Sequence, residues 1–277
     1  MRLRFFLTCL ALLAAGCASQ SEHVPGHDCE TAAALDRILA APHRSEANRA
    51  RDVYRHPKET LLFFGIRPDM TVVEVWPGGG WYTEILAPLL RERGRFYAAH
   101  VDPSVSDNAK RAVERFQAKL ASAPEIYDKV IVTSLAPGGR SEIAPPGSAD
   151  LVVTFRNLHN WMMSGWEREA IAAMHAALKP GGILGIVEHR GNPNVPQDPK
   201  AATGYVNEAY AIELIESLGF ELVERSEINA NPRDVKNYEK GVWTLPPTFA
   251  AGDQDRERYA QIGESDRFTL KFRKIAQ

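Results

Sequence analysis

Two short stretches carry residue types able to do acid–base and anion chemistry. The first is Phe155-Arg156-Asn157-Leu158-His159-Asn160-Trp161, which follows the apolar run Asp150–Phe155. The second is Glu188-His189-Arg190, which ends the run Gly182–Glu188. An imidazole titrates near neutral pH, so His159 or His189 can take a proton from a substrate. Arg156, Asn160 and Trp161 are candidate substrate contacts, the amide for polar groups and the indole for stacking on a ring. Arg190 can hold a carboxylate or phosphate. The same stretches also read as a capped loop over a core tryptophan and an exposed charged loop. No Ser/His/Asp nucleophile set is visible, and the spacing of His100, His159 and His189 favours no metal site.

A third stretch proposes a ligand cradle. Thr71–Leu86 reads TVVEVWPGGGWYTEIL: an apolar β-type run, a Pro-Gly-Gly-Gly turn, then a helix-like pattern from Trp81. A strand entering a helix through glycines brings backbone close to a ligand and aims free N–H groups at it.

Alternating elements must position these stretches. Helices are predicted over Glu30–Ala40, Ala47–Gly65 with a break at Pro57, Trp81–Arg93 with Pro88 inside, Ser106–Ala121, Gly165–Leu178 and Tyr205–Leu218. Strands are predicted over Thr71–Trp76, Arg95–Val101, Lys129–Ser134, Asp150–Phe155, Gly182–Glu188, Phe220–Ile228 and Arg267–Arg273. Strands alternating with helices give an α/β, doubly wound, mostly parallel sheet, and the last two strands give an antiparallel edge. Between those two lies an insert, Asn229–Asp266, long enough to act as a lid or binding loop. Trp243, Pro246 and Pro247 read as a packed loop in it, and Asp266–Arg267 as a structural ion pair.

The order of these pieces resembles the class I S-adenosylmethionine (SAM)-dependent methyltransferases from about Lys58 to Lys274. Glu74-Val75-Trp76-Pro77-Gly78-Gly79-Gly80 is similar to that family's first motif, Asp150-Leu151-Val152-Val153 to its central strand, and Leu178-Lys179-Pro180-Gly181-Gly182 to the turn before its fifth strand. The whole chain looks most like a group of exported methyltransferase-like proteins, through Arg156–Trp161, Trp243–Pro247 and Gly263–Arg267. The resemblance implies a seven-stranded Rossmann-like sheet and SAM as cofactor. It assigns the cofactor to Glu74, Trp76, Gly78, Gly79, Gly80, His100 and Asp102, and makes Tyr54 a lid contact on the substrate side; Asn157, by its amide, can fix polar groups of cofactor or substrate. Trp76 stands where the first glycine belongs, and His100 stands where an acid should take the ribose hydroxyls. Two readings follow: a methyltransferase-like enzyme for a small molecule, or a non-catalytic exported lipoprotein that uses the fold as a binding or scaffold module.

Composition bounds the rest. The chain has 277 residues, 44% of them hydrophobic, enough for one large domain with a core. A net charge of −2 gives no positive field that would draw nucleic acid. Arg2, Arg4 and the apolar run Phe5–Ala15 form an export signal. Ala14-Ala15-Gly16-Cys17 resembles a lipobox, which implies lipid attachment at Cys17 and a periplasmic, membrane-anchored protein; the alternative is ordinary signal cleavage, for instance after Ala18, and plain secretion. Residues 1–17 are then the signal, 18–28 a tether and 29–277 one domain. Of the three cysteines, Cys29 alone would remain, so no internal disulfide framework exists.

Overall fold

The computed structural model describes residues 25–138 and 141–275. The export signal and Cys17 lie outside the described residues. Four helices precede the sheet: α1 (Pro25–Ala40), α2 (Glu46–Arg49), α3 (Asp52–Arg55) and α4 (Pro57–Phe64). Helix α1 takes in residues 25–28, which the sequence assigned to the tether. The helix predicted over Ala47–Gly65 is three short ones, because His56 is left-handed (φ 40°) and Pro57 starts a new helix.

Then come β1 (Thr71–Val75), α5 (Thr83–Leu90), β2 (Arg95–Val101), α6 (Asp107–Ala121), α7 (Pro124–Tyr127), β3 (Val130–Leu135) and β4 (Ala149–Phe155). They are followed by α8 (Leu158–Ser164), α9 (Glu167–Ala177), β5 (Leu178–His189), α10 (Glu208–Glu216) and β6 (Phe220–Ser226). A 3-10 turn at Gly241–Thr244, α11 (Arg256–Ile262) and β7 (Arg267–Lys274) complete the chain.

The strand order is β3-β2-β1-β4-β5-β7-β6. β1 to β5 are parallel, and β7 lies antiparallel to both β5 and β6. Alternate side chains of each strand enter two cores. Val73, Val75, Tyr97 and Ala99 pack with α8, α9 and α10 residues such as Trp161, Ile171 and Ile215. Val72, Phe96 and Ala98 pack with α1, α4 and α5 residues such as Leu35, Leu61 and Leu86. No helix among the described residues is long and apolar enough to cross a membrane.

The start of α5 fixes the N-terminal helices. The Trp81 indole donates to Asn48 O at 3.1 Å, and the Arg44 and Arg55 guanidiniums lie 5.2 and 4.6 Å from its ring. Buried Glu84 accepts from Asn48 Nδ2 at 2.8 Å and from Lys119 Nζ at 2.6 Å. Pro88 stays inside α5, where its missing N–H would leave the Glu84 carbonyl unpaired. His43 Nε2 takes that carbonyl at 2.8 Å.

Trp81→Ala is expected to lower unfolding free energy by about 3 kcal/mol or more, measured by denaturant titration. Amide exchange should speed up first over residues 46–55, the segment the indole holds.

Candidate active site at the carboxyl ends of β4 and β5

The β4–α8 turn begins with strain. Arg156 sits at φ 61°, a left-handed conformation that costs an arginine roughly 1 kcal/mol or more. Its N–H bonds Val187 O at 2.7 Å, locking the turn to β5. Asn157 follows, and its amide donates to Val75 O (3.1 Å), Trp76 O (3.2 Å) and Thr154 Oγ1 (3.0 Å). These bonds join the ends of β1 and β4, where the strand order reverses. Asn157 therefore holds the crevice together through the same N–H groups that a cofactor contact would need.

Helix α8, which the sequence left as a loop, carries His159. This imidazole is buried, and its Nδ1 lies 2.9 Å from Glu188 Oε1. Facing a carboxylate, Nδ1 carries the proton and leaves Nε2 as the basic nitrogen. Glu188 Oε2 also accepts the His159 backbone N–H (3.2 Å), and Oε1 accepts that of His189 (2.8 Å). The His189 ring lies 5.3 Å from His159 and shares a 2.5 Å hydrogen bond with Ser265 Oγ. Burial, then the neighbouring His159, Arg267, Arg156 and Arg55, hold the His189 pKa well below the usual histidine value.

These groups line a cavity of about 340 Å³. Its walls are Arg51, Arg55, Arg156, His159, Asn160, His189, Glu264, Ser265 and Arg267, with Val242, Trp243, Pro246, Pro247 and Thr248 from the insert. The Trp243 ring lies 6.0 Å from the His159 ring. Glu264 holds three of the arginines. Arg51 Nε reaches its Oε1 at 2.5 Å, Arg55 Nε its Oε2 at 3.4 Å, and Arg267 Nη2 bonds Oε2. Burial favours the neutral acid, but Arg267, Arg55 and Arg51 outweigh it and keep Glu264 well below the usual carboxylate range. His159, Glu188 and His189 place donor atoms within 4.8 Å of one another, a spacing a metal could use. The Glu188 oxygens already accept three N–H groups, and the arginines oppose a cation, so an acid–base pair fits the site better.

Sequence-predicted residues divide accordingly. Arg156, His159, Asn160 and His189 meet in the cavity. Trp161 does not: it is fully buried against Trp76 and Trp166. Arg190 is held by Glu227 at 2.7 and 2.9 Å and by Glu208 at 3.2 Å, outside the cavity. Tyr54 lines a neighbouring crevice of about 320 Å³ with Asn229 and Asn231. Asp266 pairs with Lys236 at 2.9 Å rather than with Arg267, whose partner is Glu264. Sequence reading missed Arg51, Arg55, Glu264 and Arg267 as site residues and took Trp243 for packing alone. The only local signal was the clustering of charge in Gly263–Arg267.

The turn after β1 forms a second region. Gly78 (φ 59°) and Gly79 are exposed, and a side chain built on either would meet nothing within 4 Å. Trp76 adopts the backbone of a glycine, φ 52°. Its indole packs 5.8 Å from Trp161 and 5.5 Å from Trp166 and donates to Leu135 O at 3.2 Å. Because β2 lies between β1 and β3, this indole crosses the carboxyl end of β2. His100 Nδ1 accepts the Val101 N–H at 2.8 Å, so the proton sits on Nε2, which faces Gly78 O at 3.2 Å. Asp102 Oδ1 caps the Ser104 N–H at 2.8 Å. Glu74 is buried, bonded by Thr83 Oγ1 at 2.6 Å, and burial raises its pKa to about 7.

No protein-family model and no curated protein matches the chain. Solved structures do. A SAM-dependent methyltransferase from Aquifex aeolicus superposes with TM-score 0.54 at 16% identity, over 87% of this chain and 98% of that one. The [4+2]-cyclase SpnF superposes with TM-score 0.55 at 18% identity, over 91% of this chain and 95% of that one. The fold is that of the class I SAM-dependent methyltransferases. At such identities the likeness speaks for the fold alone. At this end of the sheet the Trp76 indole is held by Leu135 O and the His100 ring by Gly78 O.

A carboxyl whose folded pKa is raised stabilises below its unfolded pKa and loses that stability as pH rises through the folded value. Between pH 4.5 and about 7, wild type should therefore lose stability relative to Glu74→Gln. The difference should approach about 3 kcal/mol, read from denaturant midpoints across that range.

Proposed function

We propose that the protein is a SAM-dependent methyltransferase-like enzyme acting on a small molecule. The observation that carries this reading is the buried His159–Glu188 pair, set in a polar cavity at the strand ends of a methyltransferase fold. SAM, when bound, supplies an electrophilic methyl group. The chain's own part is positioning and proton handling. His159 Nε2 takes the proton of the acceptor group. Glu188 fixes the imidazole tautomer through Nδ1 and balances the imidazolium charge that forms. The cavity walls hold the acceptor in one orientation, which lowers the entropic part of the barrier.

A second reading is a non-catalytic binding module, favoured by Trp76 across the end of β2 and by His100 in place of an acid. Calorimetric titration with S-adenosylhomocysteine separates the two. Wild type should bind, and Trp76→Gly, whose backbone already suits glycine, should bind about tenfold tighter. His159→Ala should bind it as wild type does. No heat from either wild type or Trp76→Gly at about millimolar ligand would overturn the enzyme reading.

We further propose export and lipid anchoring at Cys17, supported by Arg2, Arg4, Phe5–Ala15 and the Ala14-Ala15-Gly16-Cys17 sequence. Cys17→Ser should move the protein from the membrane fraction to the soluble fraction. Unchanged membrane association would argue against the anchor.

A further inference from the structure

The cavity has more positive charge than its own fold uses. Four guanidiniums line it, from Arg51, Arg55, Arg156 and Arg267, against the carboxylate of Glu264 and that of Glu188 beneath His159. Three of the four share Glu264. The fourth, Arg156, makes no side-chain hydrogen bond or ion pair among the described residues, although its strained backbone fixes where it stands. Arg267 is buried and its Nε has no partner. Like charges gathered out of water are costly unless something neutralises them. The insert adds apolar lining to the same cavity: Val242, Trp243 and Pro246.

We propose that this cavity binds a small organic anion, with a carboxylate or phosphate on Arg156 and Arg267 and an apolar or aromatic body against Trp243. The guanidinium fork matches both oxyanions, which share planar or near-planar pairs of acceptor oxygens. About 340 Å³ admits a ligand of metabolite size. Arg156 is the anion's primary contact, because it is the guanidinium with no protein partner to give up. His159 then faces the body of the ligand beside Trp243, 6.0 Å from its ring. Burial and Arg267 already lower the Arg156 pKa to about 10, a sign of the uncompensated field that an anion would relieve.

This names the substrate class for the site proposed above and rests on that cavity being the working one. It does not depend on the methyl donor, so the test is binding without SAM. Probes are benzoate, phenyl phosphate, inorganic phosphate and neutral benzamide, titrated into the mature protein at low salt by calorimetry and by tryptophan fluorescence. Benzoate or phenyl phosphate should bind at least about tenfold tighter than benzamide and raise the melting temperature. A preference between the two names the oxyanion. Arg156→Gln removes no side-chain hydrogen bond or ion pair among the described residues, so it should fold as wild type and lose about tenfold or more in affinity for the anion. Trp243→Ala should weaken benzoate and leave inorganic phosphate unchanged. Because every arm is read with no methyl donor present, failure of the catalytic reading leaves these results unchanged and stays distinct from failure of this one. Equal affinity for benzamide and both anions, or undiminished anion binding by folded Arg156→Gln, would overturn the proposal.

Discussion

One buried carboxylate organises the site. Glu264 enters from the turn before β7 and receives Arg51 and Arg55 from the N-terminal helices and Arg267 from β7 itself. Without it, two buried guanidiniums and a third beside them would stand together with no carboxylate between them, a costly arrangement. With it, residues more than two hundred positions apart in the chain become one wall. The N-terminal helices are thereby fastened twice, at the start of β7 through Glu264 and at the start of α5 through Trp81 and Glu84. Because the carboxylate is shared among three cations, the wall stays positive, and that residual charge sets the chemistry of the cavity.

The glycine turn after β1 shows how fold and ligand site separate. Its backbone is left-handed at Trp76, Gly78 and Gly80. Its side chains are directed inward to the protein. Trp81 grips the N-terminal helices, Tyr82 stacks on Phe155 at 3.5 Å, Thr83 bonds Glu74, and Glu84 gathers Asn48 and Lys119. Trp81 to Glu84 thus form a structural hub, whatever lies above the glycines. That SpnF, a [4+2]-cyclase, shares this architecture makes the same point from outside: the scaffold does not dictate the reaction.

Much of the scaffold was legible because it rests on local rules. Alternating apolar runs and helical periodicity located all seven strands within a few residues, and Ser106, the first residue of a predicted helix, is the cap of α6, its side chain accepting the Ala109 N–H. Helix α8 was missed because Leu158–Ser164 is short and mixes polar and apolar residues without a clean stripe. Arg190 and Trp161 were misplaced for a related reason. Residue type says what a side chain can do, while its partners decide whether it is available. Arg190 meets Glu227 and Glu208, and Trp161 meets two other tryptophans in the core.

The sequence by itself determined the order of elements, the glycine turn, and the placement of His159 just past one predicted strand and of Glu188 at the end of another. Those are consequences of periodicity and turn chemistry, which act over a few residues. Only the tertiary structure decided that His159 pairs with Glu188, that Arg51, Arg55 and Arg267 converge on Glu264, and that Trp243 closes the cavity. These contacts join segments far apart in the chain, and their energies depend on burial and on summed charge. Neither quantity exists until the sheet, the N-terminal helices and the insert are packed together.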